Sequence, residues 1–256
     1  DERQYQLYLR LTERFQELLR KSDRSYFLLE AGKRLFWQGE NGDAIVCLQR
    51  GMDQAYRERS LNIMTECCLF LGNCYSSLNQ LKQTQEHYAD AIRMARSLGR
   101  QDLMEVITYN LATTELQMGL TEKALYHLLS APWNEAMYFH KLAICYERLG
   151  QKEKVRQALE QAQTAPLKAL PGGPVQAREI FSQMCRLVQF RQDDPNYLKN
   201  PEYGQILQSC FQNMKKKLPT SFVRFHAVWL DEWYVANRQY RQAHEFIRYF
   251  FLNNKI

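Results

Sequence analysis

One small residue returns at a fixed interval along the chain. Gly32, Gly72 and Ala112 are each 40 positions apart, and Leu71 and Leu111 precede the last two. Around each, apolar residues fall three and four positions apart (Leu28, Ala31 and Leu35; then Leu71 and Tyr75), which marks one buried stripe of a helix. A second stripe follows each of the three: Ala44, Leu48 and Gly51, then Tyr88, Ala91, Ile92 and Ala95, then Ala124, Leu128 and Ala131. Gly39-Glu40-Asn41 and Asn79-Gln80 supply turns between the stripes. A short amphipathic helix pair cannot bury its apolar face alone. A chain that repeats such pairs must stack them, so the expected fold is an all-α array.

The same signal recurs a fourth time after a shorter step. Leu142, Ala143 and Tyr146 lead to Gly150, and Val155, Leu159 and Ala162 follow. Pro132 accounts for the contraction, because it ends the preceding helix early. Pro166 and the run Pro171-Gly172-Gly173-Pro174 make the clearest linker. Beyond it lie a helix over 176–190, an irregular stretch over 191–201 and a helix over 202–217, which together read as a degenerate fifth pair. Leu230, Tyr234, Ala243, Ile247 and Phe250 restore the spacing around a turn at Asn237-Arg238. The resulting division is an N-terminal helix over 1–23 that either caps the array or is the remnant of a preceding domain, four pairs over 24–165, a Pro/Gly linker over 166–175, and a degenerate fifth pair with a C-terminal pair over 176–256. In the first segment Tyr5, Tyr8, Leu11, Phe15, Leu18 and Leu19 form one apolar face, and Ser22 and Asp23 cap the helix that follows.

Composition narrows the function classes. The 256 residues are 45% hydrophobic and 24% charged, a globular balance. The formal charge of +6 is dispersed. Its densest run, Lys215-Lys216-Lys217, suits a helix C-terminus, where cations complement the dipole, and it is too sparse for a dedicated nucleic-acid surface. Seven cysteines without a CxxC pair read as buried free thiols of a reducing cytosol. The histidines do not accompany them at zinc spacing. No apolar run approaches 20 residues, so no membrane span is expected. Paired catalytic carboxylates, a phosphate loop and a metal set are all missing. Glu66 and Glu115 read as lone surface charges on different helices. No cofactor is expected.

The Leu-Gly-x-x-Tyr stripe, followed by a second helix of small and aromatic residues, resembles the tetratricopeptide repeat (TPR), with helices lengthened beyond the minimal unit. That resemblance implies a right-handed superhelix of about five to six antiparallel pairs, with the first helix of each pair lining an inner groove. In TPR proteins a fixed set of first-helix positions faces the groove. With Gly32, Gly72, Ala112 and Ala143 as the reference position, that set is Lys33, Trp37, Asn73, Ser77, Tyr109, Asn110, Gln117, His140, Lys141 and Arg148. Asn73, Asn110 and Lys141 resemble the carboxylate clamp of chaperone-binding TPR domains. Leu69 and Met137 stand where that clamp has lysine, which argues against a chaperone tail as ligand. An asparagine offers a donor and an acceptor to an extended backbone, and a lysine or arginine offers a charge to a carboxylate. Trp37 reads as core or staple. Lys141 is either a ligand contact or a solvated charge. His140 is either a pH-sensitive contact or a bland surface or core histidine.

More broadly, the stack resembles the peptide-receptor domains of the Gram-positive quorum-sensing regulators of the Rap, NprR, PlcR and Rgg group. Their likeness lies in the 40-residue units, the groove asparagines, the lone N-terminal helix and the aromatic-rich C-terminal pair. It implies a non-enzymatic cytoplasmic receptor that holds a short extended peptide, with DNA contacted only through a domain outside this chain. The peptide-binding residues so implied are Asn73, Asn110, Lys141, Tyr109, Lys33, His140, Arg148 and Gln117. The rival expectation is a TPR scaffold or co-chaperone-like adaptor that binds a protein partner. The aromatic closing helix, 239–252, suggests a homodimer contact compatible with either.

Overall fold

A computed structural model describes residues 21–168, 174–217 and 220–248. The helix expected over 2–20, residues 169–173 of the Pro/Gly linker, and Tyr249, Phe250 and Phe251 lie outside the described residues. Within them the chain forms α1 (Lys21–Gln38), α2 (Asn41–Arg57), α3 (Leu61–Ser77), α4 (Leu81–Ser97), α5 (Gln101–Gln117), α6 (Thr121–Ser130), α7 (Ala136–Arg148), α8 (Lys152–Thr164), α9 (Pro174–Asp193), α10 (Pro201–Lys217), α11 (Thr220–Ala236) and α12 (Tyr240–Ile247). A single 3₁₀ turn, Tyr197–Lys199, lies between α9 and α10. Read in sequence, these helices make six consecutive pairs, and the described residues contain no strand. Ser22 and Asp23 are not caps. They lie inside α1, which is already helical at Lys21.

The 40-residue repeat is two 20-residue steps. Helices begin at residues 41, 61, 81, 101 and 121, and one backbone device sets the interval. At the end of α2 the Arg59 N–H donates to the Tyr56 carbonyl (3.1 Å) and the Ser60 N–H to the Ala55 carbonyl (2.8 Å). This is a Schellman closure, in which a residue with positive φ turns the chain back onto its last helical carbonyls. The same two bonds close α1, α3, α4, α5, α7 and α11 at Gly39, Asn79, Gly99, Gly119, Gly150 and Arg238. All seven closing residues have φ between 57° and 88°. The next residue then starts the following helix. The Ser60 carbonyl accepts from the Met64 N–H (3.1 Å), and the Gln80 carbonyl from the Thr84 N–H (3.0 Å). One residue thus ends one helix and opens another, and no longer loop is needed.

A prediction of sign follows. Gly99→Ala places a Cβ at φ 64° and should lower the unfolding free energy by about 1–2 kcal/mol. Gly42→Ala, inside α2 with open space around its Cβ, should raise it by up to about 1 kcal/mol. Urea unfolding of the two variants checks both signs at once; two shifts in the same direction would refute the closure argument.

The described residues group into two compact units that part inside α5, between Leu111 and Ala112. In the first unit, Leu29, Leu35, Leu48, Cys67 and Leu71 form one part of the core, and Cys68, Tyr88, Ala91 and Ile107 another. The recurrent glycines are points of close approach. A Cβ on Gly72 would lie 2.6 Å from Tyr88 Cδ1, and one on Gly32 would lie 2.7 Å from Leu48 Cδ2. These are sub-contact distances, so the small residue is what allows each pair to close.

In the second unit α7 is the central element, with nine of its 13 residues buried. Its first turn is anchored by Glu135, a buried carboxylate that accepts from the Met137 N–H and, through its other oxygen, from the Lys168 N–H (2.9 Å). The Ala136 N–H donates to the Pro166 carbonyl (2.9 Å). The expected loop after α9 is instead ordered: α9 runs on to Asp193, and the Asp194 side chain accepts from the Asn196 N–H (2.8 Å) and from Asn200 Nδ2 (3.0 Å). All seven cysteines are buried and none is in a disulfide, as their apolar positions predict.

Candidate functional site

In the first unit three helices contribute to one face. On α3 the spacing of Glu66, Phe70, Asn73 and Ser77 puts them on one stripe. From α1, Lys33 Nζ reaches Glu66 (2.6 Å) and Glu30 (2.9 Å) and lies 5.4 Å from the Phe70 ring centroid. Burial pulls the Lys33 ammonium toward its neutral form, but the two carboxylates outweigh it and hold the pKa above the usual lysine range. Glu66 is therefore not a lone surface charge; it is half-buried and paired.

From α5, Asn110 Nδ2 donates to Asn73 Oδ1 (3.1 Å), and from α4 the Tyr88 hydroxyl donates to the same oxygen (2.7 Å). The two asparagines that the repeat register places on the ligand face thus meet each other. Tyr88 fixes the arrangement. Its ring lies against Gly72, and burial drives its pKa well up, so the hydroxyl remains a donor. The Asn73 oxygen is fully engaged. Its Nδ2 has no partner among the described residues and is the group left for a further acceptor. Tyr109 and Asn110 are half-buried neighbours on α5. Tyr88 is the member of this cluster that a reading of first helices alone misses.

Trp37 departs from expectation. It is neither core nor staple; 62% of it is exposed, and its ring stands edge-on to Phe36 (5.1 Å between centroids).

The second unit departs further. His140 and Lys141 are 0% and 1% exposed, so neither stands on an open face and Lys141 is not a solvated charge. The reason is non-local. α11 packs over the stripe of α7 that the repeat frame assigns to the ligand. Lys141 Nζ sits 3.2 Å from the centroid of the Phe225 ring, a cation–π contact, and burial lowers its pKa well below the usual lysine value. The His140 ring lies 6.1 Å from that of His226 and 6.0 Å from that of Phe181 on α9. Arg148 donates from Nη1 to the Leu116 carbonyl (2.7 Å), and Gln117 is half-buried at the end of α5. Glu115 is 3% exposed and shares a 2.7 Å hydrogen bond with His127 Nδ1, so it too is no surface charge.

A group the sequence does not single out dominates this unit. Arg191 on α9 donates from Nε to Glu147 on α7 (3.2 Å) and from Nη1 to Glu232 on α11 (3.0 Å). Its guanidinium lies 4.9 Å from the Tyr197 ring and 5.0 Å from the Trp229 ring. It ties three helices together. Among the described residues, no three His, Cys, Asp or Glu side chains cluster as metal ligands, and no helix is long and apolar enough to cross a membrane.

Residues 65–98, which hold most of α3 and all of α4, match the tetratricopeptide-repeat family model. No curated protein matches the chain. Among solved structures it is similar to aspartyl phosphate phosphatase F from Bacillus subtilis, with a TM-score of 0.74 at 12% identity, over 98% of this chain and 65% of that one. It is similar to a Rap protein complexed with competence and sporulation factor, with a TM-score of 0.69 at 13% identity, over 98% of this chain and 68% of that one. The Rap conjugation gene regulator of the plasmid pLS20, in complex with the Phr* peptide, gives 0.58 at 15% identity, over 95% of this chain and 70% of that one. This chain has a TPR fold that resembles the Rap proteins. At such identities the likeness is one of fold, and the chain spans about two thirds of the length of those structures. The TPR repeat explains the Gly72–Tyr88 contact directly: it is the close approach of the two helices of one pair, inside the matched residues.

Proposed function

We propose that the face carrying Asn73 and Asn110 binds an extended peptide and that the chain is the ligand-sensing part of a peptide-responsive bacterial regulator. The observation that carries this reading is the Asn73–Asn110 hydrogen bond, held from behind by Tyr88. A buried tyrosine presets the amides in one orientation, so a ligand bears less of the ordering cost. Asn73 Nδ2 donates to a peptide carbonyl, and an extended chain repeats its backbone groups along its length. One of the similar Rap structures holds the Phr* peptide and another holds competence and sporulation factor, which supports the ligand class. The role is non-catalytic and cytoplasmic. The strongly perturbed groups His140 and Lys141 are enclosed in the core, where no substrate reaches them. Ligand contacts therefore come from Asn73, Asn110, Tyr109 and Lys33, and not from His140 or Lys141.

Isothermal calorimetry with a pool of synthetic hexapeptides tests the reading. Asn73→Ala should lower the affinity of any hexapeptide that binds by about tenfold, the loss of a well-placed hydrogen bond in a desolvated site. Tyr88→Phe, which keeps the ring and removes only the hydroxyl, should lower it by a smaller factor. Unchanged affinity in Asn73→Ala sinks the proposal. Binding confined to folded proteins would favour the adaptor role.

A further inference from the structure

Trp37 is one of several large aromatic residues left exposed among the described residues, with Tyr26, Tyr56, Tyr126 and Tyr240, and it is the one that stands beside a cavity. The indole packs edge-on against Phe36, and Phe36 packs in turn against Phe70 on α3 (5.9 Å). Beside it lies a cavity of ≈ 480 Å³ lined by Glu30, Ala31, Lys33, Arg34, Trp37 and Gln38. The lining charges are Glu30, Lys33 and Arg34, and Glu66 on α3, outside the lining, pairs with Lys33 and completes the balance. Lys33 holds both carboxylates. Such a site offers no net charge to a ligand. It offers apolar surface inside a polar rim, the layout of an interface hot spot.

We infer that Trp37 and Phe70 form the subsite that receives an apolar side chain of the same peptide whose backbone meets Asn73 and Asn110. The inference rests on the peptide-binding reading. It adds which side chain is selected and where. Phe70 and Asn73 lie one turn apart on α3, about 4.5 Å along the axis. Trp37 comes from α1, one helix spacing of about 8–10 Å away. An extended peptide advances about 3.3 Å per residue. The apolar side chain therefore sits about three residues from the one whose backbone pairs with Asn73. Trp37 thus sets specificity, and the asparagines hold the backbone whatever its side chains.

Two measurements on the whole chain test this. The first labels the protein with 5-fluorotryptophan and titrates it with N-acetyl-leucinamide, N-acetyl-phenylalaninamide and N-acetyl-serinamide. The Trp37 fluorine signal, assigned by its disappearance in Trp37→Phe, should shift saturably with the two apolar probes and stay in place with the serine probe. The signal of buried Trp229 should not move. A Trp37 signal unmoved by all three probes overturns the inference. The second uses any hexapeptide that binds. Trp37→Ala should lower its affinity about tenfold while the apolar side chain is present, and less than twofold once that side chain is replaced by serine. Equal losses for both peptides overturn the subsite. Binding that Asn73→Ala weakens and Trp37→Ala leaves unchanged overturns the subsite alone. If no hexapeptide binds, the peptide-binding reading fails and the subsite fails with it. Because Trp37 is largely exposed, Trp37→Ala should keep the parent melting temperature, so lost affinity will not be lost folding.

Discussion

Arg191→Ala should destabilise the protein by about 3–5 kcal/mol. Arg191 and Glu147 have side chains only 10% and 14% exposed, so their charges have little water to fall back on. Burial works against the guanidinium charge, but Glu147 and Glu232 more than compensate and hold the pKa above the ordinary arginine value. Removing the guanidinium leaves the Glu147 carboxylate buried without its partner, and it empties the space between the Tyr197 and Trp229 rings. Arg191→Lys should recover little, because a single ammonium cannot serve two carboxylates on different helices while stacking between two rings. A triple variant, Arg191→Met with Glu147→Gln and Glu232→Gln, removes every charge at once and should recover most of the loss. Urea unfolding of the three variants decides the matter. A loss below about 1 kcal/mol in Arg191→Ala would show that water already solvates the cluster.

What the sequence discloses about this protein is what depends on neighbours along the chain. Gly72 is legible because its close approach to Tyr88 recurs with the register of the repeat, and any residue with a Cβ would break the pair there. The closing positions Gly39, Gly99, Gly119 and Gly150 are legible for the same reason, since positive φ favours glycine. Arg59 and Arg238 hide the device, because their side chains give no hint of the left-handed backbone they adopt. The ligand register is half legible. It places Asn73 and Asn110 on one face, and in the structure their side chains meet in a hydrogen bond. The same frame fails at His140 and Lys141 because exposure of a first helix depends on what packs over it. At α7 that element is α11, more than 70 residues further along the chain. Nothing in the local pattern around Lys141 carries that information. Trp37 fails in the opposite direction: an indole at an apolar spacing reads as core, and here it ends on the open side of its own helix.

Acid should weaken the fold through His140. This ring is wholly buried, and burial together with the neighbouring Lys141 charge lowers its pKa from 6.5 to about 3. The sign follows from proton counts. Between about pH 3 and pH 6.5 the unfolded chain binds a proton at this histidine and the native chain does not. Unfolding is then accompanied by proton uptake, so the unfolding free energy rises with pH across that window and falls as acid is added. One proton corresponds to a slope of about 1.4 kcal/mol per pH unit. The groups that face the ring are Lys141 on its own helix, His226 on α11, and Phe181 and the Met184 backbone on α9, the last of which opposes the shift without outweighing burial. Below about pH 4 Asp102 and Asp194 add to the loss, since hydrogen bonds to their charged forms hold both below the usual carboxylate range. The histidine contribution is therefore read between pH 4.5 and 6.5. His140→Gln keeps a neutral polar side chain and cannot take up the proton. It should flatten the stability profile over that interval by close to one proton, even if it lowers stability at pH 7 through poorer packing. The change in slope is the diagnostic quantity, because a packing defect shifts the whole profile and leaves its slope alone. Parallel profiles for the native protein and His140→Gln would mean that the ring is protonated in the folded state or that water reaches it, and either would contradict its enclosure beneath α11.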